Sequence, residues 1–488
     1  MSLQYVCREQ QDGLSEMRLP EGLGVEIMLP ILQLALDHEN LARALKVAEE
    51  AVQGGVDWVE AGTPLIKSEG LEAVRALRRK FPSSTIVADM KIMDAGRLET
   101  ECAAKAGADI VHVLGPASDA TITECIEAAR RYDAKITVDL LGLESTERMV
   151  QRAKEAERMG AYSVCIHTPI DMQMRGQLPF DDLKAVASAV SIPVAVAGGI
   201  NSETAVDAIK AGATIIIVGG AITKSPDARK ATETIKKVMA TGVKVEATFF
   251  KRGSEQNIAE VLAKTSTADV TEALHNTGEL AGIKPIVQGV KMVGRALTVW
   301  TYPGDWSKPV EAIDMAGEGQ VIVIDAGGIP PAVWGEKATK SCLQRKLAGV
   351  VINGAIRDVA NIREMRFPAF ARLITPVAGE PKGQGIIDVP VKIGGQYIRT
   401  GDWIIGDDDG VVAIPQEKAV EIANRAQAVV EREEREMAEI DDGSTLGKVS
   451  ELMRWEQLRK KSEPRPSASP SEGQAKDGLG ESKNNDKQ

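Results

Sequence analysis

Asp89, Lys91 and Asp94 stand in the segment VADMKIMDAG. On a strand, residues i and i+2 share a face, so Asp89 and Lys91 point the same way and Asp94 follows just beyond, on the loop. Flanking carboxylates keep the lysine charged. A structural salt bridge would account for this motif alone, but further ionisable groups close neighbouring strand-like runs: Asp37, Glu60, Asp139 and His167. Glu60 and Asp89, at the ends of consecutive runs, offer two hard oxygen ligands suited to Mg²⁺. Such an ion would polarise a substrate carbonyl and stabilise an enediolate. The alternative is that Glu60 simply pairs with Lys91. His167 titrates near working pH and is a candidate general acid or base, or else a satisfied structural histidine. His112 lies mid-run and reads as structural. Gly198-Gly199 and Gly219-Gly220 close two later runs, where backbone N–H groups would hold phosphate; a tight turn is the plainer explanation of either pair alone.

A second group lies downstream: Asp325-Ala-Gly-Gly, then Gly335-Glu336, then Arg357-Asp358. Glu336 opens a helix-like stretch whose free N–H groups suit a carboxylate. Arg357 suits the same anion through its fork of donors, and Asp358 is a candidate ligand for a divalent cation. A surface Arg–Asp pair with a helix cap is the competing explanation.

The elements that must position these groups are legible as eight β-branched runs: LQLALD (32–37), WVEAG (58–62), IVADMK (86–91), IVHVLG (110–115), KITVDLLG (135–142), SVCIHT (163–168), PVAVAGG (193–199) and IIIVGG (215–220). Their starts recur every ~20–30 residues, with helix-like sequence such as 40–54 and 71–81 between them. That rhythm predicts a (β/α)8 TIM barrel over 30–242, with its chemistry at the carboxyl ends of the strands. Residues 1–29 read as a loose extension and 243–254 as a hinge-like linker. A second domain, 255–445, mixes short strands (294–300, 320–328, 349–358, 409–415) with helices near 256–264 and from Ser266, which predicts a smaller layered α/β domain. Residues 418–440 read as a charged helix, solvated or packing. The tail, 446–488, is charged and, from about Ser462, almost free of apolar residues, so it is expected to be largely disordered.

Composition narrows the function classes. A net charge of −11 gives no electrostatic reason to bind nucleic acid, and 3% aromatic residues leave few stacking platforms. The five cysteines are scattered, odd in number and without a CxxC pair, as expected of reduced thiols. No apolar run reaches the ~18 residues of a membrane span, and the polar N-terminus lacks a signal core. A cytoplasmic protein is expected.

LQLALD, VEAGTPLIKSEG, VADMKIMDAG, VHVLGPASDATI, CIHTPIDMQ, VAGGI and IVGGAIT together resemble the 3-hexulose-6-phosphate synthase family of the orotidine monophosphate decarboxylase superfamily, over about residues 30–240. The resemblance implies a Mg²⁺-dependent aldol reaction joining D-ribulose 5-phosphate and formaldehyde to D-arabino-3-hexulose 6-phosphate, and its reverse. By matching motif, Glu60 and Asp89 would hold the metal. Asp37, Lys91 and Asp94 would contact substrate and intermediate, Asp139 a hydroxyl, the glycines phosphate, and His167 would move a proton. The related 3-keto-L-gulonate-6-phosphate decarboxylases carry arginines where this chain has Ile170 and Gly220, which favours the synthase. STADVTEAL, VIDAGG, GVVINGAIRD and GDWIIGDDDGVVAIP, within about 255–420, resemble ribonuclease-activity regulators and the 4-hydroxy-4-methyl-2-oxoglutarate aldolases. The aldolases carry an acidic residue, twenty spaced residues, then Arg-Asp, which places Glu336, Arg357 and Asp358. Arg357 would then bind a 2-oxo acid's carboxylate and Asp358 a second divalent ion; a ribonuclease-binding or assembly role is the alternative. Both families imply a homo-oligomer.

Overall fold

The computed structural model describes residues 7–9, 15–17, 27–28, 30–247 and 251–450. Of the 1–29 extension it describes three short strands, Cys7–Glu9, Ser15–Met17 and Ile27–Met28, paired antiparallel. The tail beyond residue 450, expected to be disordered, lies outside the described residues. The chain falls into two compact units, 1–435 and 436–488; of the second, residues 436–450 are described and include the short helix Leu446–Val449.

Eight parallel strands close a barrel in chain order: β1 (Ile31–Leu36), β2 (Trp58–Ala61), β3 (Thr85–Ile92), β4 (Ile110–Leu114), β5 (Lys135–Asp139), β6 (Ser163–His167), β7 (Val194–Ala197) and β8 (Ile215–Val218). β8 pairs with β1 from Ile215↔Ile31 to Val218↔Leu34 and closes the ring. Period-two alternation divides each strand. Ile31, Ala35, Trp58, Val87, Ile110, Cys165, Ala195 and Ile215 form an inner cluster. Leu32, Leu34, Val59, Ile86, Val111 and Val164 join a larger cluster with the surrounding helices. Fully burying each of these aliphatic chains contributes roughly 1.5–3 kcal/mol. The expected helices are present. Leu41–Gln53 starts on Asn40, whose side chain accepts from the Arg43 N–H, and it ends at Gly54, where a Cβ would stand 2.6 Å from the Arg229 carbonyl.

One strand departs from simple alternation. β3 slips register against β4 between Ala88 and Ile92, and Lys91 takes a left-handed backbone, φ +46°. Such a bulge re-aims a side chain at a barrel rim.

The second domain is built on a nine-stranded sheet. Its centre is parallel: β9 (Met292–Trp300), β10 (Val321–Asp325), β11 (Gly349–Ile356) and β12 (Ala369–Ile374). β13 (Trp403–Gly406) and β14 (Val411–Ile414) extend it antiparallel from β9. Opposite faces feed different clusters. Ile322, Ile324, Val350 and Ile352 pack with Ala338 and Cys342 of the helix Glu336–Gln344, and Val321, Val323 and Val351 pack with Ile393 and Ile398. This is the layered α/β arrangement expected. Ser266 caps the helix Thr267–Ala273 reciprocally with Asp269.

Where it is described, the linker makes contacts on both sides. Ser202 Oγ donates to the Val245 carbonyl at 2.9 Å, Arg252 pairs with Glu431 at 3.2 Å, and the Gly253 N–H donates to Asn424 Oδ1 at 2.6 Å. The charged helix, Ala419–Asp441, buries Ile422, Asn424, Ala426 and Val429, so it is a packing helix. Among the described residues no helix is long and apolar enough to cross a membrane.

Candidate active site

Glu60, Asp89, Asp139 and His167 are inward positions at or near the carboxyl ends of β2, β3, β5 and β6, and His112 is the inward residue in the middle of β4; Asp139 pairs with the inner-cluster residue Cys165 and the others share the parity of the inner cluster. All but His167 are almost wholly buried. Lys91, turned by the bulge, sets its Nζ 2.9 Å from Asp89 Oδ2 and 3.3 Å from Asp139 Oδ2. Burial alone would lower its pKa, but the charges of Asp139 and Asp89 outweigh this and raise it, so the ammonium is fixed.

Asp89 accepts from Thr63 Oγ1 at 2.8 Å and lies 3.5 Å from His112 Nδ1. Burial, which would raise its pKa, is overcome by the His112 hydrogen bond and the His112 and Lys91 charges, so it is held below the usual carboxylate range. Asp139 faces His167 Nδ1 at 3.2 Å and accepts from the Leu141 N–H at 3.0 Å. Against burial, the His167 and Lys91 charges lower the Asp139 pKa, and Asp139 in turn raises that of His167. His167 Nε2 makes no hydrogen bond among the described residues.

Glu60 differs. It accepts from Gln33 Nε2 at 2.6 Å, yet burial and the Asp89 charge push its pKa up to about 7. A buried carboxylate left this short of positive charge suits a cation. Ligand atoms of Asp89, His112 and Asp139, two carboxylates and one imidazole nitrogen, lie within 4.8 Å of one another, and the Glu60 carboxylate feels the Asp89 charge without joining that group. The donor set fits a divalent ion.

Asp37 follows β1 at the mouth. A Cβ at Gly62 would overlap its Oδ1, and a Cβ at Gly219 would stand 3.6 Å from its Oδ2. Gly198 and Gly199 both adopt positive φ, +101° and +73°, and Gly219-Gly220 leads into the turn of helix Gly220–Thr223.

In the second domain Asp358 Oδ2 accepts from the Glu336 N–H at 3.3 Å and pairs with Arg357 Nε at 3.4 Å. Asn361 Nδ2 donates to Glu336 Oε2 at 2.6 Å. At the end of β10, Asp325 Oδ1 accepts from Asn353 Nδ2 at 2.8 Å and from the Gly327 N–H at 3.1 Å. Among the described residues no group of three His, Cys, Asp or Glu side chains gathers at Asp358.

Residues 30–235 match the Orotidine 5'-phosphate decarboxylase / HUMPS family, and residues 267–413 match the RraA-like (Aldolase/RraA) family. The 3-hexulose-6-phosphate synthase of Bacillus subtilis (strain 168) is 39% identical over 212 residues, covering 43% of this chain and 99% of that protein. The synthase of Staphylococcus haemolyticus (strain JCSC1435) is 41% identical over 197 residues, covering 40% of this chain and 92% of that protein. Among solved structures, 3-hexulose-6-phosphate synthase from Salmonella typhimurium is 36% identical, covering 44% of this chain and 100% of that one, with a TM-score of 0.42.

The chain belongs to the Orotidine 5'-phosphate decarboxylase / HUMPS family. To the HUMPS-family barrel it joins an RraA-like domain. The barrel brings Glu60, Asp89, Lys91, Asp139 and His167 together and places Asp37, Gly198, Gly199, Gly219 and Gly220 after its strands, as expected. Asp94 does not join them. It is exposed, accepts from the Ala95 N–H at 2.7 Å, and lines a groove between the helices Gly96–Lys105 and Asp119–Arg131. His112, read as structural, belongs to the cluster. The signal for it was parity: Ile110, His112 and Leu114 alternate inward, and a histidine pointing into a barrel beside an aspartate has more than packing to do. In the RraA-like domain Asp358 contacts both the Glu336 N–H and Arg357.

Proposed function

We propose that the barrel is a 3-hexulose-6-phosphate synthase, a carbon–carbon lyase that interconverts D-ribulose 5-phosphate plus formaldehyde and D-arabino-3-hexulose 6-phosphate. The observation that carries this reading is Lys91 clasped between Asp89 and Asp139 at the mouth of a barrel ~40% identical to named synthases over nearly their whole length. Glu60 and Asp89, with Asp139 and His112 adjacent, would hold Mg²⁺. When bound, the ion supplies Lewis-acid polarisation of the substrate carbonyl.

The chain's own groups do the rest. His167, oriented through Nδ1 by Asp139, presents Nε2 to take the proton from C1 of the pentulose. The Lys91 ammonium, already charged and held by two carboxylates, stabilises the negative charge that develops on the enediolate oxygens without moving. The C1 carbon then bonds to the formaldehyde carbon, whose oxygen gains a proton to become the new hydroxymethyl group; the reverse reaction breaks that bond and releases formaldehyde. Asp37 and Asp139 accept from sugar hydroxyls, and the glycine turns at Gly198-Gly199 and Gly219-Gly220 face their N–H groups to the phosphate. Decarboxylation of a keto-gulonate phosphate is the weaker reading: the two arginine positions hold Ile170, which is exposed, and Gly220, so neither supplies a cation.

For the second site we propose a metal-dependent 2-oxo-acid aldolase. Arg357 and the N–H groups after Glu336 bind the carboxylate, and Asp358 ligates the ion.

The deciding experiment for the barrel is formaldehyde release from hexulose phosphate, run beside CO₂ release from keto-gulonate phosphate, with and without EDTA. Formaldehyde release abolished by EDTA and restored by Mg²⁺ is expected. CO₂ release alone, or EDTA-insensitive turnover, overturns the reading.

A further inference from the structure

The RraA-like domain reaches back to the barrel through one face of the helix Ala419–Asp441. Val420, Glu421, Asn424 and Arg425 lie at i, i+1, i+4 and i+5, a single stripe. Opposite them stands the segment after His167, which contains the short helix Ile170–Met174. Asn424 is fully buried and is hydrogen-bonded at both ends of its amide, once to the barrel segment and twice to the linker at Gly253. Nδ2 donates to the Met174 carbonyl at 2.9 Å and to the Gly253 carbonyl at 3.1 Å, and Oδ1 accepts from the Gly253 N–H at 2.6 Å. Charged pairs flank it: Arg425–Asp171 at 3.1 Å and Arg175–Glu421 at 3.6 Å. Val420 Cγ1 would stand 3.7 Å from a Cβ at Gly176.

The other side of the same segment lies against the glycine turn after β7. Gln173 donates to the Thr168 carbonyl at 2.7 Å, and its amide nitrogen would stand 2.9 Å from a Cβ at Gly198; Leu178 would stand 3.6 Å from one at Gly199. The segment is therefore a slab with His167 at its root, the Gly198-Gly199 turn on one side and a helix of the second domain on the other.

We propose that Asn424 is a positioning residue for the barrel reaction, and that the fused domain sets the geometry of the loop that covers the glycine turn. A buried amide with both N–H donors and its oxygen engaged is a demanding contact. Leaving its partners unpaired costs more than the contact gains, so it tolerates one arrangement of the loop. The Bacillus subtilis and Staphylococcus haemolyticus synthases match only the barrel portion of this chain over 99% and 92% of their lengths, so the contact belongs to the fused protein rather than to the barrel alone.

The activity arm of the test rests on the synthase reading; the structural arm does not. Full-length Asn424→Ala and Arg425→Ala are compared with the unmodified chain by hydrogen exchange and by synthase kinetics. Amides of 168–178 in Asn424→Ala should exchange at least tenfold faster, while those of β1 to β5 keep their rates. KM for D-ribulose 5-phosphate should rise about five- to tenfold with kcat changed less than twofold. Arg425→Ala, which loses the exposed pair with Asp171 and the pair with Glu421 within the helix, should show the same pattern weakly, and it carries the test if Asn424→Ala does not fold. Unchanged exchange at 168–178 in both variants overturns the proposal. So does a matched fall in kcat and protein stability without a rise in KM. Faster exchange in a chain that lacks synthase activity altogether sinks the synthase reading and leaves the positioning role in place.

Discussion

At the scale of the residue, the site runs on imbalance. Lys91, His112 and His167 neutralise Asp89 and Asp139, while Glu60 is left with an amide and a pKa pushed up to about 7. A carboxyl whose folded pKa lies above its unfolded value stabilises the fold fully below the unfolded value and loses that contribution as pH rises through the folded one. In metal-free protein at pH 8 Glu60 is thus a buried charge that costs stability. Glu60→Gln keeps the Gln33 contact and removes the charge. It is expected to raise the melting temperature of EDTA-treated protein at pH 8 by a few degrees, on the order of 1–3 kcal/mol, and to leave it unchanged at pH 5, where Glu60 is already protonated. Synthase activity should fall at least a hundredfold in the same variant. Calorimetry at the two pH values checks the first claim; equal shifts at both would show that Glu60 is not the strained group. Glu60, Asp89 and Lys91 were legible from sequence because each is an ionisable residue in the second half of an otherwise apolar run. His112 was not, because mid-strand position suggested packing and only the inward parity of β4 argued otherwise.

Elements decide how close these residues come. Eight strands were readable to within three residues of their ends because parallel barrel strands are continuous apolar runs bounded by polar or glycine residues. What the runs did not reveal was the bulge in β3. Alternation places Asp89 and Lys91 on one face, but the contact is made through a left-handed Lys91, a backbone conformation that residue type does not advertise. Asp94 belongs to the motif by spacing but lies on the surface, since the strand ends at Ile92 and the chain turns into the helix Gly96–Lys105. The end of β2 makes a sharper prediction. Gly62 has an ordinary φ of −66°, so alanine there meets no backbone strain; its Cβ would instead overlap the Asp37 carboxylate and stand 2.7 Å from the Leu36 carbonyl. Gly62→Ala is expected to cost about 1–3 kcal/mol and to lower synthase kcat/KM at least tenfold by displacing Asp37. Steady-state kinetics with thermal melts checks it, and full activity would show that Asp37 does not touch substrate.

At the scale of the whole molecule, two domains share one chain, and what the sequence did not reveal is how they are joined. Residues 418–440 read equally as solvated or packing helix because side chains that meet the barrel there are polar, and polar contacts have the composition of a surface; Asn424, Arg425 and Arg435 carry no apolar signal. Each site nonetheless has its own packed cluster, the barrel's distinct from those around β9 to β12. Arg357 and Asp358 are partly exposed and reach Glu336, not the barrel. Their loss should therefore be felt locally. Arg357→Ala and Asp358→Ala are each expected to abolish metal-dependent cleavage of 2-oxo acids, on the order of a hundredfold or more, and to keep hexulose phosphate formation within twofold. Both activities measured on one preparation make the comparison internal. If both variants cleave 2-oxo acids like the unmodified chain, the pair is a cap and a surface salt bridge, and the domain's contribution lies in what it holds or binds. If instead hexulose phosphate formation collapses with them, the two sites are coupled, and the route available for that coupling on this chain is the helix that grips the loop after His167.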